Sequence, residues 1–390
     1  MGGQLMDRVR ERLASGGMEV TATSVADAVR AEAGGVVGHT DLLEAMRVLR
    51  QEFVGAGPLE PLLREPETTD VLVTAPSEVW VDGANGLRRT DIEFPDDGAV
   101  RRLATRLALA AGRRLDDAQP YVDGWLPGSG ATGRIRLHAV LPPLAADGTC
   151  LSLRVLRPAA HDLRALRELG TFDEPMAELL SAIVAARLAF LVVGGTGSGK
   201  STLLAALLGR VPATERIVCV EDAGELQPAH PQFVRLIARQ ANVEGAGEIT
   251  VRCLVRQALR MRPDRLVVGE VRGSEVCELL NALNTGHEGG AGTLHANSPI
   301  EVPARLEALA ALGGLDREAL HSQLAAAVQV VLHMRRTTAG GRRLAEIGVL
   351  QRDRAEVRVL PVWRDGESGW TDRRALLDEL LQARGVSKQC

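Results

Sequence analysis

The sequence predicts an α/β chain of two domains, with a parallel sheet covered by helices in the C-terminal part and a smaller α+β domain before it. Two observations support this fold class. Beyond residue 188 strand and helix patterns alternate, which is typical of a parallel sheet with crossover helices. Between residues 69 and 157 strand patterns dominate, and one helix pattern interrupts them. The 390 residues, 45% of them hydrophobic, are enough for two buried cores.

The N-terminal half is predicted in three parts. Residues 1–55 have helical apolar spacing interrupted by glycines, so we expect a helical lead-in. Residues 56–157 form the α+β domain. Its strand patterns lie at 70–74, 79–82, 135–141 and 151–155, and its helix pattern lies at 97–111. A polar, arginine-rich segment at 158–173 is expected to be a linker with one short helix.

The C-terminal domain, at 174–390, is predicted from its alternating elements. Strand patterns lie at 189–193, 216–221 and 265–269, helix patterns lie at 201–208 and 250–261, short strands are expected within 344–364, and a terminal helix at 371–381. We therefore expect a parallel sheet with helices on both faces.

Composition narrows the classes of function. A net charge of -4 and an aromatic fraction of 3% give no general attraction to nucleic acid, and no nucleic-acid partner is expected. The five cysteines are scattered without a CxxC pair, which argues against a disulfide framework and a structural zinc site. The apolar stretch 188–193 is too short to cross a bilayer. The expected location is the cytoplasm, with peripheral attachment to the inner face of the membrane.

A glycine-rich loop between a strand pattern and a helix pattern fits G-x-x-x-x-G-K-[ST]. In such a loop backbone N–H groups surround a phosphate, Lys200 reaches the β- and γ-oxygens, and Ser201 holds Mg²⁺. Lysine occurs only at positions 200 and 388, so one of the two stands where a compact ammonium is needed. The motif therefore predicts binding of ATP with Mg²⁺. The expected binding residues are Gly194, Gly195, Thr196, Gly197, Ser198, Gly199, Lys200, Ser201 and Thr202.

Two further strand patterns end in carboxylates. In a parallel sheet the carboxyl ends of strands face the ligand crevice, so Glu270 is expected beside the γ-phosphate, where it can orient or activate water. Many phosphate-loop enzymes carry a metal-binding Asp on this strand, but here the position is Gly269. Glu221 ends the other strand and is expected near the Mg²⁺-nucleotide, although an ordinary acidic turn is the alternative.

The segment 284–297 is rich in glycine and contains two histidines, so we expect a mobile loop there. A histidine within reach of a γ-phosphate can report whether that phosphate is present, and His295 is the candidate. A single histidine is otherwise more often structural.

Four segments in order, GGTGSGKST, VEDAGELQ, RMRPDRLVVGEVRG and TGHEGGAGTLHANSP, resemble the Walker A, Asp box, Walker B and His box of the secretion-superfamily ATPases. The resemblance is strongest to the CpaF/TadA-like motors of Flp (tight-adherence) pili, and it extends over about residues 50–350. It implies a RecA-like C-terminal domain, ATP hydrolysis with Glu270, Glu221 and His295 as catalytic residues, a homohexamer, and an integral membrane platform protein as partner.

The same resemblance implies arginines that reach the phosphates from the N-terminal domain, and the matching positions are Arg136 and Arg154. Arginines supplied in this way stabilise charge in the transition state. Three functions stay open from the residues alone: a motor for pilus assembly or protein export, a motor that translocates nucleic acid, and a GTP switch or small-molecule kinase. With lysines only at 200 and 388, no N-K-x-D guanine motif is possible.

Overall fold

The computed structural model describes residues 8, 9, 12, 22–33, 55–83, 86–126, 134–156, 161–239, 241, 246–337, 340–366 and 369–386. Most of the lead-in expected at 1–55 lies outside these residues, apart from helix α1 (Ala22–Ala33). The chain divides into two compact units, Met1–Arg157 and Pro158–Cys390. In the described parts of the chain no helix has the length and apolarity that a membrane span needs.

The first unit is an antiparallel sheet with a helix on one face. Its further elements are α2 (Glu60–Arg64), β1 (Asp70–Ala75), β2 (Glu78–Asp82), β3 (Arg88–Arg89), α3 (Asp97–Ala110), β4 (Tyr121–Leu126), β5 (Arg134–Val140) and β6 (Cys150–Leu156). The described strands form a six-stranded sheet in the order β3-β2-β1-β6-β5-β4. Helix α3 begins at the cap Asp96, whose side chain accepts from Ala99 N, and its apolar stripe is buried against the sheet.

The second unit contains the larger sheet. Its elements are α4 (Leu163–Glu168), α5 (Glu174–Ala185), β7 (Phe190–Val193), α6 (Lys200–Leu208), β8 (Ile217–Glu221), β9 (Phe233–Ile237), α7 (Val251–Ala258), β10 (Arg265–Val271), α8 (Glu275–Asn284), β11 (Ala291–Leu294), α9 (Val302–Leu312), α10 (Arg317–Ala327), β12 (Val330–Arg336), β13 (Arg342–Asp353), β14 (Glu356–Arg364), β15 (Gly369–Trp370) and α11 (Arg374–Ala383). Nine described strands pair in the order β15-β14-β13-β12-β7-β11-β10-β8-β9.

The strands from β12 to β9 run parallel, and both faces of this central sheet are covered. Alternate residues of β7 belong to different cores: Phe190 and Val192 pack with α5 and α6, whereas Leu191 and Val193 pack with α7 to α10. Burial on both faces explains why the strand is continuously apolar. The predicted α/β fold with a parallel central sheet and a second, smaller α+β unit is confirmed.

Two local expectations are wrong. The region 344–364 contains long strands rather than short ones, since β13 and β14 form an antiparallel hairpin that widens the parallel sheet. The segment 284–297 is not simply a mobile loop, because its centre is β11, a buried strand between β7 and β10. Glycine suits this position: a Cβ on Gly292 would lie 3.0 Å from the carbonyl oxygen of Val268.

Within the segment expected to be a linker, helix α4 places Leu163 and Leu166 in the core of the second unit. Asp162 caps this helix by accepting a hydrogen bond from Ala165 N. The helix is therefore attached to the second unit by apolar packing.

Candidate nucleotide-binding site

The glycine-rich loop connects β7 to α6, and its two outer glycines fit against the β12–β13 hairpin. Gly194 has φ 146° and Gly199 has φ 94°, conformations that side-chain-bearing residues rarely adopt. A Cβ on Gly194 would lie 2.2 Å from the carbonyl oxygen of Met334. Glycine is therefore required at both ends of the loop by backbone conformation and, at Gly194, by the close approach of β12.

The middle of the loop is open. A Cβ placed on Gly195 or Gly197 would meet nothing within 4 Å, and Thr196 between them is exposed. Ser198 is buried, and its hydroxyl donates to Gly195 O at 2.9 Å. The exposed backbone stands before the N-terminus of α6, where Ser201 and Thr202 form the first turn. An exposed backbone at a helix N-terminus is the arrangement that fits an anionic phosphate group.

Lys200 is buried at the centre of the loop. Its Nζ donates to Gly194 O and to Gly195 O, each at 2.9 Å, and lies 3.4 Å from Nδ1 of His295. Burial lowers the pKa of Lys200, and the nearby Glu270 carboxylate acts in the opposite direction. The ammonium thus lies within reach of both the loop and the adjacent strand ends.

Glu270 and His295 lie side by side, because they belong to the neighbouring strand ends of β10 and β11. Nε2 of His295 is 2.6 Å from Oε1 of Glu270, and Arg272 donates from Nη2 to Oε2 of the same carboxylate. Burial, followed by the charge of Lys200, lowers the pKa of His295. A neutral imidazole can accept from Lys200 at Nδ1, and its Nε2 lies next to the Glu270 carboxylate.

Glu221 explains why position 269 is a glycine. The two residues are adjacent on the paired strands β8 and β10, and a Cβ on Gly269 would lie 2.5 Å from Cγ of Glu221. The side chain from β8 therefore fills the space that a side chain at position 269 would need. A carboxylate is still present at this point of the sheet, but the neighbouring strand supplies it.

Glu221 is almost fully buried, and only one of its two carboxyl oxygens has hydrogen-bond partners among the described residues. Its Oε1 accepts from Glu225 N and Leu226 N, both at 3.0 Å, whereas Oε2 is buried without a partner among the described residues. Burial raises the pKa of Glu221 from 4.5 to about 7, more than the two backbone donors lower it. One carboxyl oxygen at the carboxyl end of β8 is therefore unsatisfied among the described residues.

The structure offers few protein ligands for a metal. Oγ of Ser201 donates weakly to Oε2 of Glu225 at 3.4 Å. In the described part of the chain no group of three His, Cys, Asp or Glu side chains is close enough to hold an ion alone. Such a donor set suits Mg²⁺, which typically binds through one or two protein oxygens together with substrate phosphates and water.

Arg272 and Arg342 were not predicted from the sequence, and Glu225 was predicted only as one acid of the segment 218–225 near the Mg²⁺-nucleotide. Arg272 contacts Glu270, Glu225 contacts Ser201, and Arg342 donates from Nε to Gly197 O at 3.1 Å. Arg272 follows the strand carboxylate by two residues, so its proximity was open to prediction. Arg342 is 145 positions from its partner, and no local pattern indicates that contact.

Arg136 and Arg154 belong to the first unit, whereas the residues described above belong to the second. The two arginines are directly opposite on the paired strands β5 and β6. Each forms an ion pair: Arg136 donates to both oxygens of Asp123 at 2.9 and 2.6 Å, and Arg154 donates to Asp70 at 2.8 Å. The sheet thus presents two paired arginines on one face.

Comparisons with known proteins agree with this fold and show the family. The model of the type II/IV secretion system protein family matches residues 52–378. A putative conjugal transfer protein of Mycobacterium tuberculosis is 67% identical over 350 residues, which cover 90% of this chain and 99% of the relative. The type IV secretion system protein PtlH of Bordetella pertussis is 31% identical over 339 residues, 79% of this chain and 94% of the relative.

Among solved structures, that of the pilus retraction motor PilT with bound ADP has a TM-score of 0.51 to this chain at 21% identity. The match covers 82% of this chain and 85% of the PilT chain, and the similarity establishes the fold. The chain therefore belongs to the type II/IV secretion system protein family.

Proposed function

We propose that this chain hydrolyses ATP and uses the energy to drive pilus assembly or protein secretion, closest in kind to the Flp pilus motors. One observation carries the enzymatic part of the proposal. His295 contacts both Lys200 and Glu270 beside the open glycine loop, although the three residues come from separate segments of the sequence. A binding cation, a carboxylate and a neutral imidazole at the end of a phosphate-binding loop are the groups that phosphoryl transfer to water requires.

In the proposed reaction Lys200 leaves the carbonyl oxygens of its own loop and binds the β- and γ-phosphate oxygens. Glu270 accepts the proton of the attacking water, and His295 holds that carboxylate in place. Arg272, on the other side of Glu270, forms an ion pair with Oε2 of the same carboxylate. Its release from Glu270 would leave the carboxylate free to act as a base.

Mg²⁺ would be held by Ser201 and the phosphates, and it would neutralise charge on the transferred group. We assign Glu221 a contact with a water molecule of the hydrated ion, since its buried Oε2 has no hydrogen-bond partner among the described residues. Arg136 and Arg154 are proposed to exchange Asp123 and Asp70 for nucleotide phosphates during the cycle, as arginines of a moving domain do in related mechanisms.

For the assembled motor we propose a homohexamer in the cytoplasm, bound to the inner face of the membrane through an integral platform protein. The proposal rests on membership in the family and on the resemblance of the four motifs to the Flp pilus branch. Nucleotide-dependent rotation of subunits would convert hydrolysis into movement.

A motor that translocates nucleic acid is the second candidate. It is retained because the Mycobacterium tuberculosis relative is named a putative conjugal transfer protein. The net charge of -4 and the aromatic fraction of 3% argue against it, since tracks for single-stranded DNA use basic grooves and stacking platforms. Tight, salt-sensitive DNA binding that stimulates ATP hydrolysis would favour this candidate over the secretion motor.

The enzymatic proposal can be tested with the two lysines of the chain. Lys200→Ala should abolish binding of a fluorescent ATP analogue and phosphate release from ATP, whereas Lys388→Ala should behave as the wild type in both assays. The pair is matched because it removes the same group from the same chain. Unchanged ATP binding by Lys200→Ala would contradict the proposed role of the loop.

A further inference from the structure

The β12–β13 hairpin contacts the glycine loop at three of its residues. The carbonyl oxygen of Met334, on β12, limits the space beside Gly194. On β13, Cδ of Arg342 would lie 3.0 Å from a Cβ on Gly199, and Nε of Arg342 donates to Gly197 O at 3.1 Å. One strand thus supports the start of the loop, and one exposed side chain reaches its middle and its end.

We propose that Arg342 is a positioning residue for nucleotide binding, which orients the peptide between Gly197 and Ser198. In a trans peptide the C=O and the N–H point in opposite directions. When Arg342 holds the Gly197 carbonyl, the N–H of Ser198 is directed to the opposite side of that peptide, where it donates to Gly195 O at 3.4 Å. The inference rests on the proposed function, because the side that carries the Ser198 N–H is where phosphate would bind.

The geometry of the loop indicates why the hydrogen bond from Arg342 to Gly197 O is needed. Gly197 has φ 71° and a Cβ placed on it would meet nothing within 4 Å, so its peptide is held only by the contact with Arg342 and by the long hydrogen bond from Ser198 N to Gly195 O among the contacts of the described residues. The side chain of Lys200 donates to the carbonyl oxygens of Gly194 and Gly195, and the hydroxyl of Ser198 donates to that of Gly195. In the proposed reaction Lys200 gives up those contacts to bind phosphate, whereas the contact of Arg342 with Gly197 O is retained.

The adjacent residue supplies a matched control. Arg343 is also an exposed arginine of β13, but successive side chains of a strand point to opposite faces, and its Nε lies 3.5 Å from Oδ2 of Asp365. Replacing Arg343 removes an equal charge from the same strand without touching the loop. Any general effect of losing a positive charge should therefore be the same in both variants.

The experiment is a titration of the full chain with a fluorescent ADP analogue, for the wild type, Arg342→Ala, Arg342→Lys and Arg343→Ala. We expect Arg342→Ala to raise Kd about tenfold, as for the loss of one charge-assisted hydrogen bond. Arg343→Ala should bind as the wild type, and Arg342→Lys, which keeps a cationic donor, should fall between the wild type and Arg342→Ala. In steady-state ATP hydrolysis, the change in kcat caused by Arg342→Ala should be smaller than the change in its KM for ATP.

Thermal unfolding without nucleotide separates positioning from folding. Arg342→Ala and Arg343→Ala should then have the same Tm, and only the rise in Tm caused by ADP should be smaller in Arg342→Ala. Equal ADP binding by the two alanine variants would overturn the inference, and so would a lower Tm of Arg342→Ala in the absence of ADP. Failure of the wild type to bind ADP would instead overturn the proposed function itself.

Discussion

The buried carboxyl group of Glu221 should make the stability of the second unit depend on pH. Its pKa is raised from 4.5 to about 7, so the folded chain holds a proton that the unfolded chain releases between these values. Stability from this residue is therefore greatest below pH 4.5, falls as the pH rises towards 7, and stays low above it. Between pH 5 and pH 8 the expected loss is about 2–3 kcal/mol, from 1.36 kcal/mol per pKa unit.

Glu221→Gln removes this titration while keeping a carbonyl oxygen for the two backbone donors at Glu225 and Leu226. The free energy of unfolding can be measured by urea titration with circular dichroism, for both proteins, at several pH values from 5 to 8. The wild type should lose stability relative to Glu221→Gln as the pH rises, by about 2–3 kcal/mol over this range. A difference between the two proteins that stays constant with pH would refute the raised pKa and its physical cause.

Three further predictions follow from the site and its proposed assembly. Gly194→Ala should destabilise the fold by about 1–3 kcal/mol or more, because of backbone strain and the close approach of Met334 O. Gly195→Ala should leave Tm unchanged, since a Cβ there meets nothing within 4 Å. Equal Tm values for the two variants would contradict the strain at Gly194. Arg136→Ala and Arg154→Ala should lower kcat by up to about 10³-fold with a smaller change in ADP binding, and normal kcat in both would remove these arginines from the proposed mechanism. In analytical ultracentrifugation with Mg²⁺ and a non-hydrolysable ATP analogue the chain should sediment as a hexamer, and a strictly monomeric species at high concentration would exclude the ring.

Much of the fold can be predicted from the sequence, because its signals are local. A continuous apolar strand, a glycine loop and an apolar helix follow one another between residues 189 and 208, and the pattern identifies both the parallel sheet and the loop. The contact between Glu270 and His295 also follows from local signals. Each residue lies at the carboxyl end of a strand, and those ends meet at one edge of a parallel sheet.

Long-range packing accounts for what the sequence does not reveal. A glycine-rich stretch is typical of a mobile loop, and only the neighbours β7 and β10 show that Ala291–Leu294 is a buried strand. Similarly, Gly269 is explained by the side chain of Glu221 on the adjacent strand. The contact of Arg342 with Gly197 depends on the β12–β13 hairpin lying beside the loop, which no periodicity in the sequence indicates.

Glu270 is proposed to be the base of an ATPase whose loop binds the nucleotide independently of this carboxylate. The most direct measurement compares Glu270→Gln with the wild type in fluorescent ATP binding and in phosphate release. Glutamine has nearly the same shape but cannot accept the proton of water, so binding should be unchanged and turnover should fall by about 10²–10⁴-fold. Glu288→Gln, which removes another ion-paired carboxylate of the same unit, should leave both quantities unchanged. Normal phosphate release by Glu270→Gln would contradict the account.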